Sequence, residues 1–260
     1  MHNKPGLLAM FTVGLLGIAV GVLAVWLFQP ASFGGPGSPA MLRETLRANP
    51  EIILEALQVL QERRDGASQV QQSAAIKANS SALLEDAESF VGGNPQGDVT
   101  VVEFFDYRCP YCRQSLATLR ALIKADPRVR LVYKEFPILG VQSLIAARIA
   151  VAARKDRRYE ALHDALMQAP SPLDEEQALR LAAAAGFDQA ALAETMKAPE
   201  VEAILQANHL LARDLGINGT PAFIVGETLM PGVASLEDLQ RLVGQVRTRG
   251  GDRAGKSSGG

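Results

Sequence analysis

The chain has 260 residues and a formal net charge of −2, room for one sizeable domain with additional segments. No basic run is interleaved with aromatics, so the electrostatic footprint of a nucleic-acid-binding protein is missing. There are only two cysteines, Cys109 and Cys112, and both lie in one Cys-x-x-Cys, an arrangement for chemistry rather than for stapling a fold.

After Lys4, residues 6–28 carry no charge, and the run ends near Trp26 and Phe28. A bilayer-spanning helix needs roughly 20 apolar residues, which this run supplies. A cleaved signal peptide has a shorter apolar core, about 7–15 residues, and a small-x-small cleavage site. Ser38-Pro39-Ala40 is a poor version of that site, so residues 1–28 are expected to be an uncleaved signal anchor, with cleavage the alternative. Lys4 then stays in the cytoplasm, and everything after Pro30 faces outside the inner membrane. Gly17 and Gly21 form a small-residue pair through which two such helices can approach.

Residues 29–40 (QPASFGGPGSPA) form a Pro/Gly/Ser linker. Residues 41–90 lack strand signals and read as a helical arm. Within it Asn49-Pro50-Glu51 is a helix start, and Ile53, Leu57 and Leu60 fall at helical spacing. A second, alanine-rich stretch over 68–90 gathers Leu83, Leu84, Ala87 and Phe90 towards its end. These helices are too thin for a core of their own, and self-association through the stripe is the preferred reading over packing on the following domain.

That domain is expected over residues 91–248. Residues 92–98 are a turn-rich lead-in without the Gly-Lys-Ser/Thr of a phosphate loop. Residues 99–105 read as a buried strand, 113–124 as a helix and 129–136 as a second strand, giving a parallel βαβ unit. Residues 141–215 turn helical, over 145–153, 159–167, 175–185, 190–196 and 201–215. His163 and His209 lie within these helices and read as structural, with no second ligand at metal spacing. A strand restarts at Thr220, a hairpin turns at Gly226, residues 236–246 close the domain as a helix, and 249–260 form a solvated tail.

A Cys-x-x-Cys at a strand-to-helix junction places the first thiol at a helix N-terminus, where aligned peptide dipoles favour the thiolate. The second thiol follows one turn later, within reach of a disulfide. Glu103 sits mid-strand between Val102 and Phe104, where burial would raise its pKa and suit it to moving protons near Cys112, with an edge-facing surface carboxylate as the alternative. Alternation alone leaves open which face Lys134 occupies and whether it pairs with Glu103. A metal (copper) site built on Cys109 and Cys112 is the alternative of another class. A closed zinc site wants four ligands, which three histidines and two cysteines supply only across protomers. A redox-inert scaffold would leave the cysteine pair unexplained.

The chain resembles the DsbA family of thioredoxin-fold oxidoreductases over residues 92–246. Three stretches carry the resemblance: Val102-Glu-Phe-Phe-Asp-Tyr-Arg-Cys-Pro-Tyr-Cys112, Lys134-Glu-Phe-Pro-Ile-Leu-Gly140 and Gly216-Ile-Asn-Gly-Thr-Pro-Ala-Phe223. The arm, with Asn49-Pro50-Glu51-Ile52 and Glu55-Ala56-Leu57, is similar to the ScsC-like oligomeric branch of exported relatives. The fold class implied is α/β, a thioredoxin fold with a helical insertion, preceded by the transmembrane helix and the α-helical arm.

The resemblance also implies roles. Cys109 is the exposed nucleophile, Cys112 the more buried resolving thiol, and Pro110 and Tyr111 tune the nucleophile. For Glu103 the resemblance favours the proton-moving role over the surface alternative. Pro221 matches the cis-proline opposite the site, with the Thr220 backbone free to pair with a substrate strand. No metal and no cofactor is called for. The expected activity is thiol-disulfide exchange on exported proteins in the periplasm, with a membrane redox partner that resets the site. The helical arm and Thr220 before the proline tilt the expectation to an oligomeric isomerase or reductase, with a DsbA-like dithiol oxidase as the alternative.

Overall fold

The computed structural model describes residues 38–257 except Ser171. The anchor expected over residues 1–28 lies outside the described residues, and among those described no helix is long and apolar enough to cross a membrane. The chain divides into two compact units between Asp65 and Gly66.

In the first unit α1 (Pro39–Ala48) starts on Ser38, whose hydroxyl accepts the Met41 N–H at 3.2 Å. Helix α2 (Glu51–Ala78) begins where the Asn-Pro-Glu spacing predicts and continues as a single helix where two successive stretches were expected. Gly66 in its interior costs about 1 kcal/mol, too little to break 28 residues of otherwise good helix formers. Within the first unit Ile53, Leu54, Leu57 and Leu60 remain exposed.

The second unit is built on a five-stranded sheet in the order β1-β3-β2-β4-β5. Its strands are β1 (Val91–Gly93), β2 (Val99–Phe105), β3 (Val129–Glu135), β4 (Ala222–Val225) and β5 (Thr228–Pro231). Only β2 and β3 are parallel, joined by α4 (Pro110–Ala125) as the βαβ reading requires. Four helices, α5 (Val141–Ala153), α6 (Tyr159–Gln168), α7 (Glu175–Ala184) and α8 (Gln189–Thr195), follow β3, and α9 (Pro199–Asp214) leads back to β4. The fold is therefore an α/β thioredoxin-like sheet with a helical insertion.

Both faces of the sheet are buried, which is why β2 reads as an almost continuous apolar run. One face packs Val101, Phe105, Leu131 and Tyr133 against Leu119 and Leu122 of α4, Leu162 and Leu166 of α6, and Leu239 and Val243 of the last helix, α10 (Leu236–Ser257). The other packs Val102, Phe104, Val132 and Ile224 against Leu211 of α9, Ile76 of α2 and Leu83 of α3 (Ser80–Leu84). The end of α2 and α3 thus cover the sheet, and Lys77 pairs with Glu227 at 2.9 Å.

Two local differences from expectation have plain causes. The lead-in over 92–98 begins with β1, a strand too short and glycine-rich to announce itself. It forms because Gly92 pairs with Leu131 across the sheet edge. Gly93 has φ 64° there, and a Cβ on it would lie 2.7 Å from the Val129 carbonyl oxygen. Helix α10 runs on to Ser257, past the expected end at 246. Once started, a helix gains a hydrogen bond with each added residue, and no proline interrupts this segment.

Lys134 is buried on the face opposite Glu103, with its Nζ 2.6 Å from Asp86 Oδ2. Burial alone would push the Asp86 carboxyl up. The Lys134 ammonium, the Glu88 N–H and the Ser89 hydroxyl outweigh it and hold it below the usual range. Because this ammonium has almost no access to water, Lys134→Ala should lower the unfolding free energy by about 3 kcal/mol in denaturant titrations at pH 7. The folded value of Asp86 is depressed, so its contribution is present above the ordinary carboxylate range and is lost as pH falls through the folded value. The Lys134→Ala deficit should therefore shrink in acid.

Candidate active site

Cys109 is the N-cap of α4, with Pro110 in the first turn. The local sequence dictates this: proline has no N–H to lose at a helix start and a preset φ. The Cys109 thiol donates to the Thr220 carbonyl at 3.2 Å, and the Thr220–Pro221 peptide is cis. Both cysteines are free. Cys109 was expected to be exposed, yet it is only 5% accessible against 1% for Cys112, because the loop carrying Thr220 lies against its sulfur. Exposure at the mouth belongs to Pro110 and Tyr111, the latter 60% accessible.

Beneath the cysteines Glu103 stands between Tyr133 and Phe223 across the sheet, 2% accessible. With no cation beside it, burial pushes its carboxyl up to about 8. Burial also pushes the Cys112 thiol well above the usual range, and the charges of Glu103 and Cys109 add to the effect. The structure thus brings Cys109, Cys112, Glu103, Thr220 and Pro221 to one locality. Lys134, pairing with Phe104 in register, is on the other face and does not reach Glu103.

Sequence reading missed several residues of this site. Asp106 is buried and accepts from four donors. Arg108 N (2.7 Å) and the Ser143 hydroxyl (2.7 Å) reach Oδ1, while Ile138 N (2.8 Å) and Leu139 N (2.9 Å) reach Oδ2. A carboxylate directly after a buried strand and ahead of a helix start was the available signal. Arg113 donates to the carbonyls of Met167 and Ala169 at 2.8 and 2.9 Å, joining α4 to the end of α6. His163 is structural, as expected: its Nδ1 lies 3.1 Å from the Tyr107 hydroxyl and its ring packs against Phe105, Tyr133 and Tyr159. Burial, with the Arg120 charge, pulls its pKa down to about 3. Tyr159 donates to the Glu135 carboxylate, which burial pushes up to about 7. Among the described residues no group of three or more His, Cys, Asp or Glu is placed to hold a metal ion.

A dithiol at a helix N-terminus, facing a cis-proline loop and backed by a buried carboxyl, defines a thiol-disulfide oxidoreductase of thioredoxin fold. Residues 100–244 match the model of the DSBA-like thioredoxin domain, and residues 40–65 match that of the copper resistance protein ScsC N-terminal domain. The chain belongs to the DsbA-like family, with an ScsC-type N-terminal segment.

Among solved structures it is 49% identical to a thioredoxin-like oxidoreductase from Silicibacter pomeroyi, over 65% of this chain and 97% of that one, with a TM-score of 0.63. A linker-deletion mutant of Proteus mirabilis ScsC is 28% identical over 84% of this chain and all of that one, also at 0.63. A periplasmic thioredoxin-like protein from Salmonella enterica serovar Typhimurium is 30% identical over 64% of this chain and 94% of that one, at 0.56. The chain spans about a quarter of the curated relatives it matches first; one is the Na(+)/H(+) antiporter NhaA 3 of Salinispora tropica, 31% identical over 156 residues, 59% of this chain and 24% of that protein.

Glu103→Gln should stabilise the protein, and the gain should depend on pH. Since the folded pKa of Glu103 is raised, the folded state holds a proton that the unfolded chain releases. Its contribution is therefore favourable in acid and is lost as pH rises from about 4.5 to about 8. The stabilisation by Glu103→Gln should grow across that window to a few kcal/mol, measured by denaturant unfolding at pH 4.5, 6 and 8.

Proposed function

We propose that the chain is a disulfide isomerase or reductase of exported proteins, with Cys109 as nucleophile and Cys112 as resolving thiol. The observation that carries this reading is the Cys109 sulfur at the start of α4, 3.2 Å from the Thr220 carbonyl beside Pro221. The Cys109 thiolate attacks one sulfur of a substrate disulfide. That disulfide breaks, its other sulfur leaves as a thiolate and takes a proton, and a mixed disulfide forms. In reduction Cys112 loses its proton and attacks the Cys109 sulfur, so two electrons pass from the dithiol to the substrate. In isomerisation another substrate thiolate displaces Cys109, and no net electrons move.

Glu103 is the group that exchanges the Cys112 proton. A carboxyl at about 8 works as both acid and base near neutral pH. Pro110 and Tyr111 shape the surroundings of the nucleophile, and the Thr220 backbone pairs with an extended substrate segment.

The arm supports the isomerase over the oxidase. Ile53, Leu54, Leu57 and Leu60 make an apolar stripe that stays exposed among the described residues of its own unit. A second copy of the chain would bury it, setting several dithiols around one substrate. Residues 6–28 anchor the chain in the inner membrane, the catalytic domain lies in the periplasm, and a membrane redox partner returns the cysteines to their working state. Cleavage of the anchor would release the same domain to the periplasm.

The test starts from a fragment of residues 40–260 and a scrambled disulfide substrate. It should sediment as an oligomer and restore activity, while Leu54→Lys with Leu57→Lys should make it monomeric and cut reshuffling several-fold. Should both forms oxidise a reduced substrate and neither reshuffle, the chain is a dithiol oxidase. Cys109→Ser should abolish exchange, and Cys112→Ser should accumulate the mixed disulfide, seen on non-reducing gels.

A further inference from the structure

We infer that Arg108 selects the substrate: the site favours an extended segment with an acidic residue next to the cysteine it presents. The inference rests on Cys109 being the exchange nucleophile. Arg108 directly precedes Cys109, and its backbone is fixed by the 2.7 Å bond from its N–H to Asp106 Oδ1. Among the described residues its guanidinium has no hydrogen-bond or carboxylate partner. The Asp106 carboxylate nearest in sequence is buried and already takes four donors.

Arg113, directly after Cys112 in α4, has its guanidinium on two main-chain carbonyls and, among the described residues, pairs with no carboxylate. Among the described residues two positive charges without acidic partners therefore flank the dithiol, and the α4 N-terminus adds a partial charge of the same sign.

Beside Arg108 opens a cleft of about 500 Å³ lined by Arg108, Leu139, Val141 and Gln142. Leu139 and Val141 are 51% and 73% accessible, and the Leu139 N–H is held by Asp106, so one carboxylate fixes the backbone of both Arg108 and the apolar side of the cleft. An anionic side chain paired with Arg108, with an apolar neighbour in the cleft, satisfies this surface. A lysine or arginine at the same place meets like charge without compensation.

The probes are matched peptides in which one cysteine, flanked by Asp or by Lys, is joined to thionitrobenzoate. The Cys109 thiolate attacks the peptide sulfur, a peptide–Cys109 disulfide forms, and coloured thionitrobenzoate leaves as its thiolate. With reduced full-length protein at low salt, the Asp peptide should react about three- to tenfold faster than the Lys peptide. The ratio should fall towards one at high salt, collapse in Arg108→Gln and invert in Arg108→Glu. The ratio is read, rather than either rate, because an arginine beside the thiol alters its reactivity towards every peptide.

A preference that survives intact in Arg108→Gln would assign it to Arg113 and the helix terminus and overturn the inference, as would equal rates in the unmodified protein. Rates unchanged by Cys109→Ser would instead remove the nucleophile assignment, a distinguishable failure.

Discussion

The geometry of the site depends on one carboxylate. Asp106 is the first residue beyond β2, and it draws in donors from the turn before α4, the loop after β3 and the first turn of α5. A buried carboxylate is tolerable only when its oxygens are satisfied, and here four short bonds satisfy them. The same four bonds fix where the dithiol turn sits relative to Ile138 and Leu139. The Cys109 N–H also bonds to the Asp106 main-chain carbonyl at 3.0 Å, so the residue holds the turn from both its ends.

The second constraint is strand alternation. In β2 and β3, Glu103 is opposite Tyr133 and Phe104 is opposite Lys134, so the two charged residues are consigned to different faces. Lys134 meets Asp86 and Glu103 is left without a cation. A one-residue slip would have brought the ammonium to the dithiol side and removed the burial-driven shift of Glu103. The poise of the acid beneath Cys112 thus follows from burial on a face to which register brings no lysine.

The insertion is part of the site's foundation. Tyr159 and His163 of α6 enter an aromatic cluster with Phe90, Phe105, Tyr107 and Tyr133, and Phe90 stacks on Tyr159 at 4.3 Å between ring centres. Tyr107 lies two residues before Cys109, so its contact with His163 links α6 to the dithiol turn through packed rings. Edge and stacked aromatic pairs contribute about 0.5–1.5 kcal/mol each beyond area burial, enough together to stiffen this underside.

By itself the sequence determined what chain-local physics decides. Apolar runs and turn residues located β2, β3 and the hairpin, Pro and Asn marked helix starts, and the spacing Cys109–Cys112 specified a dithiol at a helix N-terminus. The mid-strand place of Glu103 made burial the expectation, and the structure, with the strand buried on both faces, excludes the edge-facing alternative. Tertiary structure alone decided the rest, because each remaining feature joins residues far apart in sequence. The edge pairing of β1 needs residues 130–132, and the Asp106 network needs residues 138–143. The contact of Cys109 with Thr220 crosses 111 positions. Pattern along a chain reports which face a side chain takes, whereas the partner it meets there is chosen by packing.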